Sequence, residues 1–180
     1  LMACQIINNL QQVISRFNKP DNPSVLSFGY VEALGETNII PDKVTLKGTF
    51  RTFDEEWRFK AHKKMKNIAN SICKSAGGSC DFDIKLGYPL LVNDEKITKK
   101  AKDAAEKYLG KENVVDLNLR MTSEDFAFIS QKSPSCFYRI GTGDGKSVKK
   151  LHTSNFDIDE KTFNISSGLM AYIALEQILK

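Results

Sequence analysis

The first half of the chain alternates between helical and strand periodicity in an order that few folds accommodate. An amphipathic helix is predicted over residues 2–17, followed by strands over 24–33 and 43–53. A second helix is predicted over 54–75, where Asp54 is a suitable N-cap, and a third strand over 80–86. This α-β-β-α-β order is the ferredoxin-like β-α-β-β-α-β unit without its first strand.

The second half of the chain alternates helix and strand in the manner of an α/β domain. Its predicted elements are a helix over residues 94–109, a strand over 114–119, a short helix capped by Thr122 or Ser123, a strand over 136–140 and a helix over 161–180. We therefore expect an α/β (α+β) chain with one domain over residues 1–90 and a second over 91–180. Both domains look incomplete, because the first lacks a strand and the second has few strands, so a piece of a longer polypeptide is predicted.

Composition excludes several classes of partner. Apolar residues make up 41% of the 180 residues and charged residues 27%, which is typical of globular proteins. The net charge of +4 is mild and the lysines are dispersed, so no nucleic-acid interface is expected. No apolar run approaches the roughly 20 residues that span a bilayer, and no signal peptide is recognisable, so we expect no membrane partner and a cytoplasmic location.

The four cysteines contain no Cys-x-x-Cys pair, which argues against a zinc site built from thiolates. Cys73 and Cys80 flank a Gly77-Gly78 turn and could approach each other. Free thiols in a reducing compartment are the simpler interpretation.

His152, in a polar loop, is the best candidate for a metal ligand or an acid/base group, because imidazole binds zinc and titrates near neutrality. A lone histidine in such a loop is more often merely exposed, and a catalytic zinc site needs about three protein ligands. The other histidine, His62, lies among lysines on a helix face and is predicted to be solvated.

Four further residues are candidates with an alternative reading each. Glu124 and Asp125 could ligate a metal or move protons, but acidic residues at a helix start also complement the helix dipole. Arg51 is predicted on the polar face of its strand, where it could clamp a carboxylate bidentately or pair with a surface acid. Asn38, in the preceding loop, is an ordinary turn residue unless function requires it.

Five short motifs follow one another along essentially the whole chain. They are Thr37-Asn-Ile-Ile-Pro-Asp42, Gly48-Thr-Phe-Arg-Thr-Phe-Asp54, Gly87-Tyr-Pro with Val92-Asn-Asp94, Met121-Thr-Ser-Glu-Asp-Phe-Ala127 and Leu151-His-Thr-Ser-Asn-Phe-Asp157. In this order the sequence resembles the C-terminal half of metal-dependent amidohydrolases of the aminoacylase and glutamate-carboxypeptidase superfamily, in particular the hippurate hydrolase-like branch. Each motif is weak alone, and the five in sequence make the resemblance specific.

The resemblance implies a ferredoxin-like lid over residues 1–90, often a dimerisation module, followed by the C-terminal part of a zinc-peptidase-like α/β domain over 91–180. It implies two divalent metal ions, zinc or manganese, with His152 as one ligand. It also implies that Asn38 and Arg51 bind the substrate and that Arg51 holds the carboxylate of the substrate. Glu124 and Asp125 are implied to support the site. No catalytic residue is expected within this chain, because the family's general base belongs to a segment upstream of such a half.

The function implied for the full-length enzyme is metal-dependent hydrolysis of the amide bond of N-acyl amino acids or related small peptides, by a homodimer formed through the lid. We expect this chain to be a C-terminal fragment that is inactive alone. Two other interpretations stay open. The chain could be a non-catalytic dimerisation module, or a small domain that binds amino acids through Arg51.

Overall fold

The structure is a computed structural model that describes residues 1–143, 145 and 151–179. The chain divides into two compact units. Unit 1 comprises Leu1–Leu90 and Arg120–Ser123, and unit 2 comprises Leu91–Leu119 and Glu124–Lys180. The roles predicted for the two domains, a lid and part of a catalytic domain, stay predictions at this point.

Unit 1 contains three helices and two strands. In chain order these are α1 (Met2–Leu10), α2 (Gln12–Ser15), β1 (Ser24–Glu32), β2 (Thr45–Thr52) and α3 (Glu55–Ser75). The single helix predicted over residues 2–17 is divided at Gln11, whose amide donates to the carbonyl of Asn8, three residues back, at 3.2 Å. This tighter 3₁₀-type turn separates α1 from α2.

β1 and β2 form a two-stranded antiparallel sheet. Its register pairs Val25 with Arg51 near one end and Glu32 with Thr45 at the other, with an irregularity between Phe28 and Tyr30. Because successive side chains of a strand point to opposite faces, Leu46 and Phe50 share the face that packs on the core, as predicted. Arg51 therefore lies on the opposite face.

The core of unit 1 is built on one stripe of α3. The stripe repeats every four residues and alternates large with small side chains, in the order Trp57, Ala61, Met65, Ala69 and Cys73. From the first two helices Ile6, Leu10 and Val13 pack against it, and Leu10 and Val13 are fully buried. The spacing predicted this helix and its inward face.

Both ends of α3 are closed by local devices that the sequence predicts. At its start, the carboxylate of Asp54 accepts a hydrogen bond from the Trp57 amide at 2.9 Å. At its end, Gly77 adopts a φ of 74°, which is accessible to glycine without steric cost. The Gly78 amide donates to the carbonyl of Cys73 at 2.8 Å and the Gly77 amide to that of Lys74 at 3.2 Å, the paired bonds of a Schellman motif.

The prediction of a third strand over residues 80–86 is wrong, because this segment forms no strand hydrogen bonds with the residues that the structure describes. The alternation itself is present, because Cys80, Phe82 and Ile84 are half-buried while Asp81 and Asp83 are exposed. The described residues provide it with no ladder partner. The last strand of a split β-α-β unit pairs with the first, and the first strand is the one that this sequence lacks.

Unit 2 is mainly helical in its described part. It contains α4 (Glu95–Leu109), a 3₁₀ turn (Lys111–Asn113), α5 (Phe126–Ser130) and α6 (Lys161–Ile178). The predicted boundaries of α4 are confirmed. The carboxylate of Asp94 accepts from the Ile97 amide at 2.9 Å, and Gly110 ends the helix with a φ of 88°.

α6 packs on α4 within unit 2. The rings of Tyr108 and Tyr172 lie 5.5 Å apart, and the Tyr108 hydroxyl stands where a Cβ on Gly168 would lie. Leu169 is buried, but Ile165 and Leu179 are 46% and 80% exposed. The apolar periodicity of the sequence predicts an inward face formed by Ile165, Leu169, Tyr172, Ile173 and Leu179. For Ile165 and Leu179 this prediction is wrong, because the described residues cover only one side of α6. The predicted helix ran to Lys180, which lies outside the described residues.

The strands predicted over residues 114–119 and 136–140 are also wrong, since neither forms a ladder within the described part of the chain. The second of these segments is held by a side chain instead. Asn93 donates to the Phe137 carbonyl at 2.9 Å and accepts from the Phe137 amide at 2.8 Å. Helices and a small antiparallel sheet together confirm the mixed α/β class.

Among the residues that the structure describes, no helix combines the length and the apolar character needed to cross a bilayer.

Replacing Asp54 by alanine should lower the free energy of unfolding by about 1 kcal/mol, because the first turn of α3 loses its cap. Asp54→Asn keeps a side-chain oxygen acceptor and should cost less than half of that. Urea unfolding followed by circular dichroism measures both. Glu56→Ala is the matched control, since Glu56 is an exposed acid in the same turn that pairs only with Lys60 in an i,i+4 ion pair. Equal losses for Asp54→Ala and Glu56→Ala would contradict the capping role.

Candidate functional site

Arg51 lies on the exposed face of β2, close to the Val25 end of the sheet. Its Nη1 donates to the main-chain carbonyl of Met121 at 2.5 Å, although the two residues are 70 positions apart. Met121 belongs to the Arg120–Ser123 segment that joins unit 1. Because a guanidinium has five N–H donors, this bond occupies only part of its capacity. The binding of a carboxylate by Arg51 stays a prediction.

Asn38 lies in the loop between β1 and β2. The loop makes a tight turn, in which the Ile39 amide donates to the Glu36 carbonyl at 3.1 Å, and Asn38 is exposed within it. The loop leaves β1 after Glu32, at the end of the sheet opposite to Arg51. The strand register alone therefore does not place Asn38 beside Arg51.

Glu124 and Asp125 precede α5 in unit 2. Glu124 accepts a hydrogen bond through Oε1 from Nη2 of Arg139 at 2.7 Å, and about 30% of each of these side chains is exposed. Asp125 is the N-cap residue of α5, but its side chain makes no capping bond. The prediction that Thr122 or Ser123 caps this helix is wrong, since α5 begins only at Phe126.

His152 is exposed in a turn of unit 2 and has a φ of 63°. It is the one non-glycine residue with positive φ in the part of the chain that the structure describes. Histidine tolerates the left-handed region better than most residues, yet such a conformation costs on the order of 1 kcal/mol and is concentrated at functional sites. The assignment of His152 as a metal ligand stays a prediction.

The described residues do not by themselves form a metal centre. Over residues 1–143, 145 and 151–179, no three histidine, cysteine or acidic side chains are grouped so that they could hold an ion. A catalytic zinc ion takes about three protein ligands. His152 can therefore supply at most one ligand of a site completed by other groups, and no catalytic step through a metal follows from these residues.

The prediction that His62 is solvated is wrong. Its ring is half-buried, with the centroids of Phe50 and Phe59 at 5.9 Å and 6.1 Å in edge-on geometry. Burial and the positive charge of Arg58 lower the pKa of His62, although Glu55 acts in the opposite direction. The sequence did not reveal this contact. Lysines lie close to His62 on its own helix, and Phe50 comes from β2.

The candidate residues are divided between the two units, with Asn38 and Arg51 in unit 1 and the acidic pair and His152 in unit 2. Sequence reasoning missed two partners, Met121 for Arg51 and Arg139 for Glu124. Arg139 had a usable signal, since a cation within the apolar 136–140 segment needs an acid nearby. A main-chain carbonyl such as that of Met121 leaves no signal in the sequence.

Comparison with known proteins places these features in a class of hydrolases. The family model described as peptidase family M20/M25/M40 matches residues 7–176. The chain therefore belongs to peptidase family M20/M25/M40, and the family resemblance predicted from the five motifs is confirmed.

Individual relatives agree with this assignment. The chain is 31% identical over 177 residues to the putative amidohydrolase YhaA of Bacillus subtilis, covering 97% of this chain and 45% of that protein. It is 35% identical over 179 residues to the N-acetyl-L-cysteine deacetylase of the same organism, covering 98% and 41%. The chain thus spans less than half the length of these relatives.

Among solved structures, the chain is similar to the YXEP protein of Bacillus subtilis, described as a dinuclear metal-binding peptidase of the M20 family. The TM-score is 0.76 at 29% identity, covering 97% of this chain and 44% of that one. The predicted fold, a lid followed by part of a catalytic domain, is confirmed by this likeness.

We expect the free energy of unfolding to depend on pH through His62. Because its folded-state pKa is lowered, the neutral form contributes stability above the unfolded-state pKa of about 6.5, and this stability is lost as pH falls through the folded pKa. Urea unfolding on both sides of that pH should show the decline, and His62→Gln should reduce it.

Lys66→Gln is the control for this measurement, since it changes an exposed residue of the same helix and leaves His62 in place. If the free energy of unfolding declined with falling pH as steeply in His62→Gln as in the wild-type protein, the burial of this ring would not be the cause of the decline.

Proposed function

We propose that the full-length protein hydrolyses the amide bond of N-acyl amino acids or related small peptides with the help of divalent metal ions. This chain supplies the group that binds the substrate carboxylate and one metal ligand. Membership of the family supports the class of reaction. The observation that carries the role of this chain is the Arg51 guanidinium, which is exposed on β2 and already holds an oxygen acceptor.

Arg51 can bind a carboxylate because its planar fork matches the two carboxylate oxygens. A bond to an ionised oxygen is about twice as strong as one to a neutral carbonyl. A substrate carboxylate therefore competes favourably with the Met121 carbonyl, or shares the guanidinium with it. Either way, the acyl amino acid is held by its carboxylate end and its amide is presented in a fixed direction.

The other polar candidates act as supporting groups in this proposal. Glu124 has one oxygen engaged by Arg139, which suits a fixed negative group better than a proton carrier. Asp125 is exposed beside it and supports the same region. Asn38 offers an amide that both donates and accepts hydrogen bonds, and we propose it as a substrate contact separate from Arg51, because the β1–β2 loop leaves the sheet at the end opposite to Arg51.

We propose two divalent metal ions, zinc or manganese, with His152 as a ligand of one of them. Support comes from the imidazole's preference for such ions and from the similar structure described as a dinuclear metal-binding peptidase. Because the described residues do not complete a metal site, the remaining ligands and the general base are assigned to other parts of the full-length protein.

Two properties of the assembly belong to the same proposal. We propose a homodimer formed through unit 1, whose two strands each have an edge without a ladder partner among the described residues, and light scattering of the full-length protein tests this. We also propose a cytoplasmic location. The four free cysteines suit a reducing compartment, and fractionation of cells that produce the protein tests it.

Arg51→Lys in the full-length enzyme should lower kcat/KM for N-acyl amino acids by about ten- to a hundredfold, because a charge-assisted fork is replaced by a single ammonium. The carboxamide analogue of the same substrate should show little change, since it offers no carboxylate. Steady-state kinetics with both compounds measures the difference.

The matched control is Arg58→Lys. Arg58 also donates to a main-chain carbonyl within unit 1, that of Tyr88 at 3.0 Å, and it pairs with Glu55 on α3. The Arg58→Lys substitution should leave kcat/KM almost unaltered. Equal losses on the carboxylate and the carboxamide in Arg51→Lys would refute carboxylate binding by Arg51.

His152→Ala should reduce the metal content of the full-length protein by roughly one ion per chain, since an ion that loses one of about three protein ligands is bound weakly. Elemental analysis after gel filtration measures this. His62→Gln removes the chain's other histidine and should leave the content unchanged. Full occupancy in His152→Ala would sink the ligand assignment while leaving Arg51 untested by that result.

A further inference from the structure

The Schellman turn at the end of α3 brings two cysteines of unit 1 together. The paired bonds to Cys73 and Lys74, with Gly77 in the left-handed region, reverse the chain after the helix. A side chain on Gly78 would meet the Met2 sulfur of α1, so the turn is also pressed against the first helix. The residues that follow then run back over the last turn of α3.

Cys80 is the residue that returns to the helix. It packs against the buried core cluster of which Cys73 is a member, seven residues further along the chain than Cys73. Cys73 is 4% exposed, whereas Cys80 is half-buried and reachable from solvent. The alternation of the 80–86 segment places Cys80 on the inward side, so both thiols share one pocket of the core.

Burial and the neighbouring Cys73 raise the pKa of the Cys80 thiol, with a smaller contribution from Asp81. A thiol of this kind is mostly protonated at neutral pH and reacts slowly. The Cys80 thiol therefore becomes more reactive as the pH rises and its thiolate fraction grows.

We propose that Cys73 and Cys80 are a modification site, at which a small-molecule disulfide oxidises the two thiols to an intramolecular disulfide. The Cys80 thiolate attacks one sulfur of the small disulfide, forming a mixed disulfide and releasing one thiolate. The Cys73 thiolate then attacks the Cys80 sulfur and displaces the second thiolate. The two protons lost by the cysteines are taken up by the two released thiolates, and excess thiol reverses the reaction.

Geometry favours the second step over arrest at the mixed disulfide. Both cysteines belong to one packed region of the core, and the glycines between them let the backbone adjust to the narrow torsional range of a disulfide. The site is also separate from the proposed substrate contact. Cys73 lies 18 residues after Glu55 on α3, about 27 Å along the helix from the end near Arg51.

The test uses the full-length protein with oxidised glutathione as the probe, at mildly alkaline pH, followed by alkylation and digestion with trypsin without reductant. Lys74 lies between the two cysteines, so trypsin places them on separate peptides, residues 67–74 and 75–85. We expect these two peptides to be recovered as one disulfide-linked species that separates on reduction. In Cys73→Ala the reaction should stop at a glutathione adduct on Cys80.

The exposed Cys4 and the half-buried Cys136 serve as internal comparisons, because neither should appear in the linked species. Recovery of the 67–74 and 75–85 peptides as separate alkylated or glutathione-bearing species in the wild-type protein would overturn the proposal. Linkage of Cys80 to Cys4 or Cys136 instead of Cys73 would overturn it as well.

Discussion

The apolar stripe of α3 is the contact on which unit 1 depends. Its large residues reach into the spaces between α1, α2 and the sheet, and its fully buried alanines, Ala61 and Ala69, let those elements approach closely. Burying a side chain the size of Met65 contributes on the order of 2 kcal/mol, so the stripe outweighs any single surface ion pair. Because the residues of the stripe recur at every fourth position, all these contacts lie on one face of a single helix.

The two ends of that helix position the chemistry. At its start, the Asp54 cap fixes the connection from β2, and with it the strand that carries Arg51. At its end, the Schellman turn returns the chain to the helix and brings Cys80 onto Cys73. The helix therefore lies between Arg51, which is close to its start on β2, and the two cysteines at its end.

Local features were predictable from the sequence because their causes are local. The caps at Asp54 and Asp94, the glycine ends at Gly77 and Gly110 and the inward stripe of α3 all depend on neighbours within a few residues. The strands beyond β2 were not, because a ladder depends on a second strand that periodicity does not reveal. The burial of His62 was not predicted for the same reason, since its partner Phe50 lies on β2 and is distant in the sequence.

In the candidate site, too, the residues found from local motifs were predictable, and their partners from distant parts of the sequence were not. Motif resemblance selected Arg51 and His152, and the structure gives each a feature of its own, an oxygen acceptor at the guanidinium and a left-handed backbone at the imidazole. Neither Met121 nor Arg139 was found beforehand, because their bonds join residues that are distant in sequence. A catalytic metal centre needs about three protein ligands, so a single histidine could suggest a ligand without defining the centre.

The central claim is that this chain grips the carboxylate of an acyl amino acid and contributes one metal ligand. A crystal structure of the full-length protein with an N-acyl amino acid bound, recorded with anomalous scattering at the zinc edge, tests both halves directly. The account predicts the ligand carboxylate within hydrogen-bonding distance of the Arg51 guanidinium and an anomalous peak at a ring nitrogen of His152. A carboxylate bound away from Arg51, with metal peaks that do not touch His152, would contradict it.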